Sequence, residues 1–413
     1  MRTHFDVDTE SLRDDVQLIA TALATLASPA FAETIPVAPG EGAQERLQEA
    51  LILAEPGDEI FLQAGRFVLT DGLSLDVDGV TVRGAGMHAS VLDFTAQEGS
   101  GEGLLVTSDG VTLVDFGVEN PKGDGIKSKG ADDIVYSRVR VTWTNGPAST
   151  NGAYGLYPVE STGVLIDGCE VSGASDAGIY VGQSSRITVR NSLASYNVAG
   201  IEIENSRKAI VERNYVTGNT GGILVFDLPG LPVKNGGEVL VRNNLVANNT
   251  TANFAPEGNI VASVRRGTGI MVMANDTVWV GRNMLYDNPT APIMVIAYPL
   301  AFDDPEYNPY PREISVDWNI VDEGGTDPQF EGAEQLLAAF GGALPPVMWD
   351  GLEDPEMTTL MVHPDLAGWS VNLPKQGAGI EAARPGLLEA PAIGQPISIE
   401  GWGAPEALEA RLP

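Results

Sequence analysis

A lysine, two tyrosines and a glutamate occupy one position of a phrase that repeats along the middle of the chain. The phrase is Gly-apolar-x-Val/Ile, and two places after its glycine stand, in turn, Lys127, Tyr157, Tyr180 and Glu202. An amine, phenols and a carboxylate can together hold an anionic group and exchange protons with it. We predict that this first outward lane lines a groove about 15 Å long. The predicted catalytic residues are Lys127, Tyr157 and Tyr180, and Glu202 is a predicted substrate-binding residue.

A second outward lane follows two residues further on in each copy. It contains Lys129, Val159, Gly182, Glu204 and Phe226. Successive side chains of a strand point to opposite faces, so the two lanes are expected to share one face. Gly182 would leave space beside the tyrosine of the first lane. Lys129, Glu204 and Phe226 are therefore further predicted binding residues.

Basic residues are concentrated near the start of this region. The chain has only six lysines, three of which are Lys122, Lys127 and Lys129, and Arg138 and Arg140 follow closely. A basic island on a strongly acidic protein suits an anionic group such as a uronate carboxylate. The alternative is that these charges only solvate a surface coil.

Aromatic side chains come from the same copies of the phrase. They are Trp143, Tyr154, Tyr157, Tyr180 and Phe226. Such rings can stack on sugar rings, which predicts Trp143 and Tyr154 as additional binding residues. The alternative is a ladder of stacked aromatic rings that stabilises the repeats.

The repeat predicts the elements that position these residues. Gly155, Gly178, Gly200 and Gly222 follow one another at intervals of 23, 22 and 22 residues, and a second phrase such as Ile187-Thr-Val-Arg-Asn accompanies the first. Both phrases alternate apolar and polar residues, as half-buried strands do. A unit of this length cannot close its own core, so the units must stack. We expect an all-β fold, a right-handed single-stranded parallel β-helix.

Polar residues at the turns predict ladders that join successive coils. Ser192, Asn214, Asn244 and Asn283 form one expected ladder, and a second contains Asn197, Asn219, Asn249 and Asn288. Asparagine tolerates left-handed turns, and its amide can bond the amide of the next coil. Cys169 falls in the first ladder and is expected to be a packed thiol rather than a nucleophile.

Three regions are expected along the chain. Residues 1–32 resemble a secretory signal, because the apolar run Val16–Ala27 precedes an Ala-x-Ala pattern that ends at Ala32, although the segment before it is acidic. Residues 33–323 should form the β-helix domain with a short N-terminal cap helix near 44–54, and residues 324–413 a C-terminal cap and tail. We expect a periplasmic or secreted protein without a membrane span.

Composition excludes several classes of function. The 413 residues carry a formal charge of −32, which opposes broad binding of nucleic acid or anionic lipid. One cysteine and three histidines exclude a disulfide framework, a multi-cysteine zinc site and an iron–sulfur cluster. We expect no cofactor, with two weaker alternatives. Copper could bind to Met271, Met273 and Met294, and calcium to Asp303, Asp304 and Glu306.

Insertions interrupt the period at residues 144–153, 226–236, 249–267 and 298–311. Insertions in stacked repeats form loops, often on the binding face. They are expected to wall the groove.

The segments PGDEIFLQAGRF and VTVRGAG, with the repeated coils, resemble the pectin-lyase-like superfamily of exported right-handed parallel β-helix proteins over residues 43–323. Phrases such as DAGIYVGQS and GILVFDLP are similar to a narrower bacterial family encoded beside, or fused to, a c-type cytochrome-like protein. Asp176, Gln183 and Asp227 lie in these phrases and complete the predicted binding residues. Catalytic signatures of the superfamily's epimerases and polygalacturonases are not found.

Two hypotheses of function follow, and the sequence does not decide whether the protein is an enzyme. In the first, a uronate lyase or C5-epimerase neutralises the substrate carboxylate with Lys129, Arg138 or Arg140. Lys127 or a tyrosine then takes the C5 proton, and Tyr157 or Tyr180 returns or donates one. In the second, implied by the resemblance, a periplasmic scaffold or maturation factor serves a redox partner, a c-type cytochrome-like or copper protein.

Overall fold

The computed structural model describes residues 32–99, 101–389 and 398–413. The expected secretory signal lies outside these residues except for Ala32. Within the described residues, no helix is long and apolar enough to cross a membrane.

Short strands dominate the chain. The first seventeen are β1 (Thr34–Val37), β2 (Glu59–Leu62), β3 (Gly65–Val68), β4 (Leu73–Leu75), β5 (Thr81–Gly84), β6 (Ser90–Asp93), β7 (Leu104–Val106), β8 (Thr112–Val114), β9 (Gly117–Glu119), β10 (Ile126–Lys129), β11 (Ile134–Ser137), β12 (Arg140–Thr142), β13 (Tyr154–Val159), β14 (Thr162–Asp167), β15 (Glu170–Ser172), β16 (Ala177–Gly182) and β17 (Ser185–Arg190). They are followed by β18 (Leu193–Ser195), β19 (Ala199–Glu204), β20 (Arg207–Glu212), β21 (Tyr215–Thr217), β22 (Gly221–Phe226), β23 (Gly237–Arg242), β24 (Leu245–Ala247), β25 (Thr268–Met273), β26 (Asp276–Gly281), β27 (Met284–Asn288), β28 (Ala291–Ile296), β29 (Ile314–Asp317), β30 (Ile320–Gly324), β31 (Val347–Trp349), β32 (Leu360–Val362), β33 (Gly368–Ser370) and β34 (Gly386–Leu387). The α-helices are α1 (Ala43–Leu53), α2 (Ala333–Ala339) and α3 (Glu406–Glu409), and Ile260–Ser263 and Ile380–Ala382 form 3₁₀ turns.

Every third strand joins the same sheet. Sheet A has the order β1-β2-β5-β8-β11-β14-β17-β20-β23-β26-β29-β32, sheet B β3-β6-β9-β12-β15-β18-β21-β24-β27-β30, and sheet C β4-β7-β10-β13-β16-β19-β22-β25-β28-β31-β33-β34. All pairs are parallel except β33 with β34. From β2 to β31, each turn of the chain therefore contributes one strand to each sheet, and the expected parallel β-helix is confirmed.

The interior of the coils is an apolar stack. In sheet C, Ile179 pairs with Ile201 and Ile201 with Ile223, and all three are fully buried. Like side chains from successive coils pack on one another, and the core continues along the solenoid. This alternation sends the intervening side chains to the outer face of the sheet.

Both expected asparagine ladders are confirmed. The Nδ2 group of Asn214 donates to Oδ1 of Asn244 at 3.0 Å, and the Asn214 Oδ1 accepts from the Ser192 backbone N–H at 3.0 Å. The second ladder repeats the pattern, since Nδ2 of Asn197 donates to Oδ1 of Asn219 at 3.0 Å. Cys169 is fully buried, and its backbone N–H donates to Oγ of Ser192. Burial raises the pKa of its thiol to about 12, as expected for a packed thiol.

The N-terminal helix α1 closes one end of the solenoid. Its buried residues include Leu47 and Leu51, and it packs against β1, β3 and β4. Leu53 is exposed. The helix ends at this residue, so Leu53 extends beyond the surface that α1 covers.

The region after residue 323 takes part in the solenoid. Strands β31, β32 and β33 extend sheets A and C, so pairing continues beyond the end expected from the loss of the repeat. Residues 398–413, here called the C-terminal strap, lie against sheet A. Leu408 packs on Val135 and Leu165, and Arg190 forms two hydrogen bonds of 2.7 and 2.6 Å to the Glu409 carboxylate.

Candidate functional site

The outer face of sheet C carries both outward lanes in the predicted register. Lys127 pairs with Tyr157, Tyr180 with Glu202, and Glu202 with Leu224. The lane continues through Met271, Met294 and Met348. Adjacent strands of a sheet lie about 4.8 Å apart, so these side chains are close neighbours. The face thus changes from charged through aromatic and acidic to apolar along the solenoid axis.

Most of this face is covered, contrary to the prediction of an open groove. The exposed fractions of Tyr180, Glu202 and Glu204 are 3%, 1% and 7%. Two insertions fold over the lanes, and we call residues 249–267 the first cover segment and residues 298–311 the second. They were expected to wall the groove and instead form much of its roof, because their own apolar side chains pack onto the lanes.

Three tyrosine rings form one cluster beneath this cover. Ring centroids are 4.4 Å apart for Tyr154 and Tyr157, 4.6 Å for Tyr154 and Tyr180, and 4.9 Å for Tyr157 and Tyr180. A side chain at Gly182 would overlap the Tyr180 ring, so the glycine leaves the space that the sequence pattern predicted. Tyr154 and Tyr157 are half-buried, and the cluster therefore reaches from the surface into the covered part of the face.

Three carboxyl groups, here called the carboxyl cluster, lie next to these rings: Asp176, Glu202 and Glu204. The Tyr180 hydroxyl donates to Oε1 of Glu204 at 2.8 Å, and the Tyr154 hydroxyl donates to Oδ2 of Asp176 at 3.4 Å. Oδ1 of Asp176 and Oε2 of Glu202 are buried and accept no hydrogen bond from the described residues. Buried polar atoms are normally paired, so these two oxygens mark a place for a ligand or a proton.

Burial controls the protonation of the carboxyl cluster. Desolvation, with repulsion from Glu204, raises the pKa of Asp176 to about 7. Desolvation also raises the pKa of Glu204 to about 7, although the hydrogen bond from Tyr180 opposes it. The pKa of Glu202 rises well above its ordinary value through desolvation and the neighbouring acidic charges. Near neutral pH such groups can both donate and accept protons.

The tyrosines are poor bases, and the hydroxyls of Tyr154 and Tyr180 donate hydrogen bonds instead. Burial and the nearby carboxylates raise the pKa of Tyr154 and Tyr180 far above the ordinary value, and that of Tyr157 to about 12. Their phenols therefore stay protonated at neutral pH. This makes proton abstraction by a tyrosine unfavourable.

Lys127 stands at the charged end of the face. Its Nζ lies 3.2 Å from Oε1 of Glu102, 3.8 Å from Oδ2 of Asp124 and 4.8 Å from the Tyr157 ring centroid. Desolvation raises the pKa of Asp124 to about 6, against the charge of Lys127. Lys129 is exposed, with Nζ 3.9 Å from Oε1 of Glu160. Lys127 and Lys129 thus lie beside acidic partners at the rim, whereas Nζ of Lys122 donates to the Glu98 carbonyl.

Three predicted binding residues lie elsewhere. Arg138 follows β11 at a φ of 49°, in the turn that leads to sheet B, and its guanidinium donates to the Asp115 carboxylate at 2.7 and 2.6 Å. Arg140 begins β12 of sheet B and pairs with Glu119. Trp143 is buried in the interior core, where its Nε1 donates to the Pro121 carbonyl at 2.8 Å. Their assignment to the groove is wrong, because the turn redirects the chain from one sheet to another.

Three other predicted residues border the carboxyl cluster or extend it. Phe226 is buried in the second outward lane, next to Glu204. Asp227 is fully buried and accepts a hydrogen bond from Nδ2 of Asn275 at 3.0 Å, and burial raises its pKa to about 7. Gln183 lies at a φ of 50° directly after β16, with Oε1 buried and accepting no hydrogen bond from the described residues.

The structure bears differently on the calcium and copper alternatives. The carboxylates of Asp304 and Glu306 both bind Nζ of Lys234, at 3.0 and 2.9 Å, which leaves them engaged by a cation of the protein itself. Met271, Met273 and Met294 point outward from sheet C and line a cavity, so the copper alternative stays a prediction. Among the described residues, no group of three or more histidine, cysteine, aspartate or glutamate side chains is arranged to hold a metal ion.

Several residues of the site carried no clear sequence signal. Asn259, in the first cover segment, donates from Nδ2 to Oδ2 of Asp176 at 3.4 Å. The Tyr307 hydroxyl, in the second cover segment, donates to the Asp227 carbonyl at 2.8 Å. Both lie in insertions without a period, so counting along the repeat could not place them. Asp124 precedes a repeat glycine directly, and that position could have revealed it.

Residues 78–236 match the family model described as a right handed beta helix region. The A-module of the Azotobacter vinelandii mannuronan C-5 epimerase AlgE6 is similar, with a TM-score of 0.53 at 16% identity over 78% of this chain and 87% of that one. An alginate lyase from Paenibacillus sp. str. FPU-7 has a TM-score of 0.50 at 18% identity, covering 72% and 98%.

The N-terminal fragment of bacteriophage Phi29 gene product 12 has a TM-score of 0.52 at 12% identity, covering 87% of this chain and 66% of that one. A comparison with curated protein sequences gives no match. The resemblance to the narrower cytochrome-associated family stays a prediction. From the sheets, the family model and these similar structures, we conclude that this chain has an all-β, right-handed parallel β-helix fold.

Proposed function

We propose that the outer face of sheet C binds a saccharide and that the carboxyl cluster carries out acid–base chemistry on it. The observation that carries this proposal is the contact between Tyr180 and Glu204, which joins the tyrosine and carboxyl clusters. Two similar structures are named a mannuronan C-5 epimerase and an alginate lyase, which supports a saccharide as the class of ligand. We also propose that the protein is exported to the periplasm or the medium.

Binding would begin at the half-buried tyrosines. Tyr154 and Tyr157 present ring surface near the edge of the cover, and sugar rings pack well against aromatic faces. The unpaired oxygens of Asp176 and Glu202 would accept hydrogen bonds from sugar hydroxyls. Entry of a saccharide requires a shift of the first cover segment, since Asn259 contacts Asp176 from that segment.

Proton transfer would then involve neighbouring carboxyl groups. With pKa values near 7, Asp176 and Glu204 exist partly protonated and partly ionised at neutral pH. A protonated carboxyl can protonate a leaving oxygen while an ionised neighbour takes a proton from carbon or water. The sum of these steps is cleavage of a glycosidic bond when the leaving oxygen is protonated, or inversion at C5 when a protonated carboxyl delivers a proton to the face of the carbon opposite the one that lost it.

The uronate version of the proposal places the substrate carboxylate at Lys127. Arg138 and Arg140 are engaged on other parts of the coil, which leaves Lys127 and Lys129 as the cations of the basic island on this face. Lys127 would have to exchange its contacts with Glu102 and Asp124 for the substrate. Protonation of Asp124 would favour that exchange, so a uronate should bind more tightly below about pH 6.

A panel of polyuronates and neutral glycans tests the proposal. We expect binding by calorimetry, together with absorbance from unsaturated ends for a lyase or deuterium incorporation at C5 for an epimerase. Glu202→Gln should abolish turnover, because it removes an ionisable group of the cluster while preserving its shape. Glu257→Gln, at an exposed position of the first cover segment, is the matched control and should leave turnover unchanged.

The result that would overturn the proposal is a wild-type protein that binds and converts none of these glycans. Co-purification with a c-type cytochrome-like protein would then favour the scaffold hypothesis, which rests on the sequence resemblance alone. Preference for neutral glycans at all pH values would reject the uronate version and retain the acid–base site.

A further inference from the structure

A cavity of about 410 Å³ lies on the same face of sheet C, beyond the carboxyl cluster. Its floor is formed by the continuation of the two outward lanes, with Met271, Met273 and Met294. Its roof is formed by Val261 and Val264 of the first cover segment. The remaining lining residues include Phe226, Ile296, Leu300, Phe330, Met348, Val371 and Leu373. A volume of this size lies within the usual range for small-molecule sites.

Apart from Arg265 at the opening, the polar side chains of the wall are already engaged by the protein. Both carboxylate oxygens of Asp350 accept backbone hydrogen bonds, from Ala297 at 2.7 Å and Leu352 at 3.0 Å. Thr268 donates to the Arg265 carbonyl at 2.8 Å, and Ser263 donates to the Ile260 carbonyl at 2.7 Å. The interior therefore offers apolar contacts to a ligand rather than hydrogen bonds.

The mouth of the cavity can be located from exposure. Ser263 and Arg265 of the first cover segment, and Pro299 and Leu300 of the second, line the cavity and are also exposed to solvent. The opening therefore lies between the two cover segments. The Arg265 guanidinium lies at this opening and offers a polar contact to any part of a ligand that remains outside.

The cavity lies one coil beyond the carboxyl cluster, and Phe226, which lines it, pairs with Glu204. Glu202 pairs through Leu224 with Met271, and Glu204 pairs through Phe226 with Met273, so one coil separates the last carboxyl groups from the methionines. One ligand could therefore contact both regions, with a polar part at the carboxyl cluster and an apolar part in the cavity. Methionine thioethers adapt to flexible chains, because the side chain is unbranched and has several rotatable bonds.

We propose that the cavity binds the aliphatic chain of an amphiphile whose polar part is the saccharide of the proposed function. The saccharide half of this inference rests on that proposed function, whereas the aliphatic half rests on the cavity alone. Burial in the cavity would remove the chain from water, and the saccharide would place its reacting atoms beside Asp176, Glu202 and Glu204.

Two series of probes test the inference: n-alkanols and n-alkyl glucosides with 6 to 12 carbons, below their micelle-forming concentrations. The dissociation constant should fall about fourfold with each added methylene until the cavity is full. Val264→Trp, which fills the roof, should weaken binding of the longer chains at least tenfold. Met294→Ala, which enlarges the floor, should shift the best chain to a longer one.

The matched control is Met284→Ala, because Met284 is 54% exposed on sheet B. This variant should leave the dependence of affinity on chain length unchanged. An affinity that does not depend on the length of the alkyl chain would overturn the inference. It would also be overturned if neither Val264→Trp nor Met294→Ala changed the dependence of affinity on chain length. If saccharides bind but chain length adds nothing, the proposed function survives and the inference fails. If the affinity of alkanols rises with chain length but a glucose head group adds no affinity, the aliphatic half of the inference is supported and the saccharide half is rejected.

Discussion

The Tyr180 hydroxyl donates a hydrogen bond of 2.8 Å to Oε1 of Glu204, and both side chains are buried on the outer face of sheet C. The two residues lie on adjacent coils, in different outward lanes, and Gly182 gives the tyrosine ring the space to reach across. This bond keeps a phenol protonated and stabilises the ionised form of the carboxyl. It connects the tyrosine cluster, which reaches the surface, with the buried carboxyl cluster.

Tyr180→Phe tests the energy of this bond. Removal of the hydroxyl should lower the free energy of unfolding by about 1 to 2 kcal/mol at pH 8, because the Glu204 carboxylate loses a buried donor. It should also raise the pKa of Glu204 further above about 7, since the bond from Tyr180 lowers that pKa. Urea unfolding and NMR titration of the carboxyl carbon measure the two effects.

Tyr157→Phe is the matched control, because the Tyr157 hydroxyl makes no hydrogen bond to the described residues. Equal losses of stability in both variants would show that the Tyr180 bond contributes nothing. The sequence pattern predicts Tyr180 in the lining of a groove, where its loss would cost little stability. The cover segments bury the ring, and the hydroxyl therefore needs a partner.

The stability of the protein should fall as pH rises. Below about pH 4 the carboxyl cluster is protonated in both the folded and the unfolded chain, and no penalty arises. Between about pH 4 and pH 7 the unfolded chain releases these protons while the folded protein keeps them, since the pKa values of Asp176 and Glu204 are about 7. The free energy of unfolding should decline over this range, and the penalty is complete above it.

Glu204→Gln should reduce this decline by about 1 to 3 kcal/mol between pH 4 and pH 8, because an amide has no proton to lose. Urea unfolding at several pH values measures the slope for the variant and the wild type. Glu257→Gln, which changes an exposed carboxyl of the first cover segment, should keep the wild-type slope. An unchanged slope in Glu204→Gln would mean that Glu204 titrates alike in both states.

Asn214→Leu should destabilise the fold without altering the site. The amide of Asn214 donates to the Val189 carbonyl and to Oδ1 of Asn244, both at 3.0 Å, and leucine cannot replace either bond. We expect a loss of about 1 to 3 kcal/mol in the free energy of unfolding. Asn145→Leu, at an exposed position, is the control. A folded Asn214→Leu protein that loses saccharide binding would contradict the purely structural role of the ladder.

Lys127→Ala should weaken binding of a uronate at least tenfold and change the melting temperature by only a few degrees, since its ion pairs lie near the surface. It should also raise the pKa of Asp124 above about 6, because the charge of Lys127 lowers that pKa. Calorimetry and NMR titration measure these effects, with the exposed Lys375→Ala as control. Unchanged uronate affinity would remove Lys127 from the predicted substrate-binding and catalytic residues.

The C-terminal strap offers a further test. Leu408 is buried against Val135 and Leu165, and Arg190 holds the adjacent Glu409. Leu408→Ala should detach the strap and speed hydrogen exchange in residues 398–413 at least tenfold, because a few side chains secure this short segment. Leu387→Ala, at an exposed position of β34, is the control. Unchanged exchange would show that Leu408 is not needed and that polar contacts, such as those of Arg190 with Glu409 and of Arg411 with the Gly110 and Asp133 carbonyls, secure the strap.

The sequence by itself determined the repeat and much of the site. Pairing between coils has a fixed period, so counting from Gly178 to Gly200 is enough to place Tyr180 beside Glu202. The same counting predicts the ladder from Asn214 to Asn244. Alternation along each strand then decides which side chains face outward. These features are local or strictly periodic, and the sequence displays both.

Only the tertiary structure decided what covers the outward face. Asn259 and Tyr307 belong to segments without a period, whose positions depend on packing between residues far apart in the chain. Their packing turns an expected open groove into a buried carboxyl cluster with raised pKa values. The turn at Arg138 had a comparable effect, because one residue with a positive φ redirects the following strand to another sheet. Arg138 is therefore close to Lys127 in sequence but does not lie on the same face.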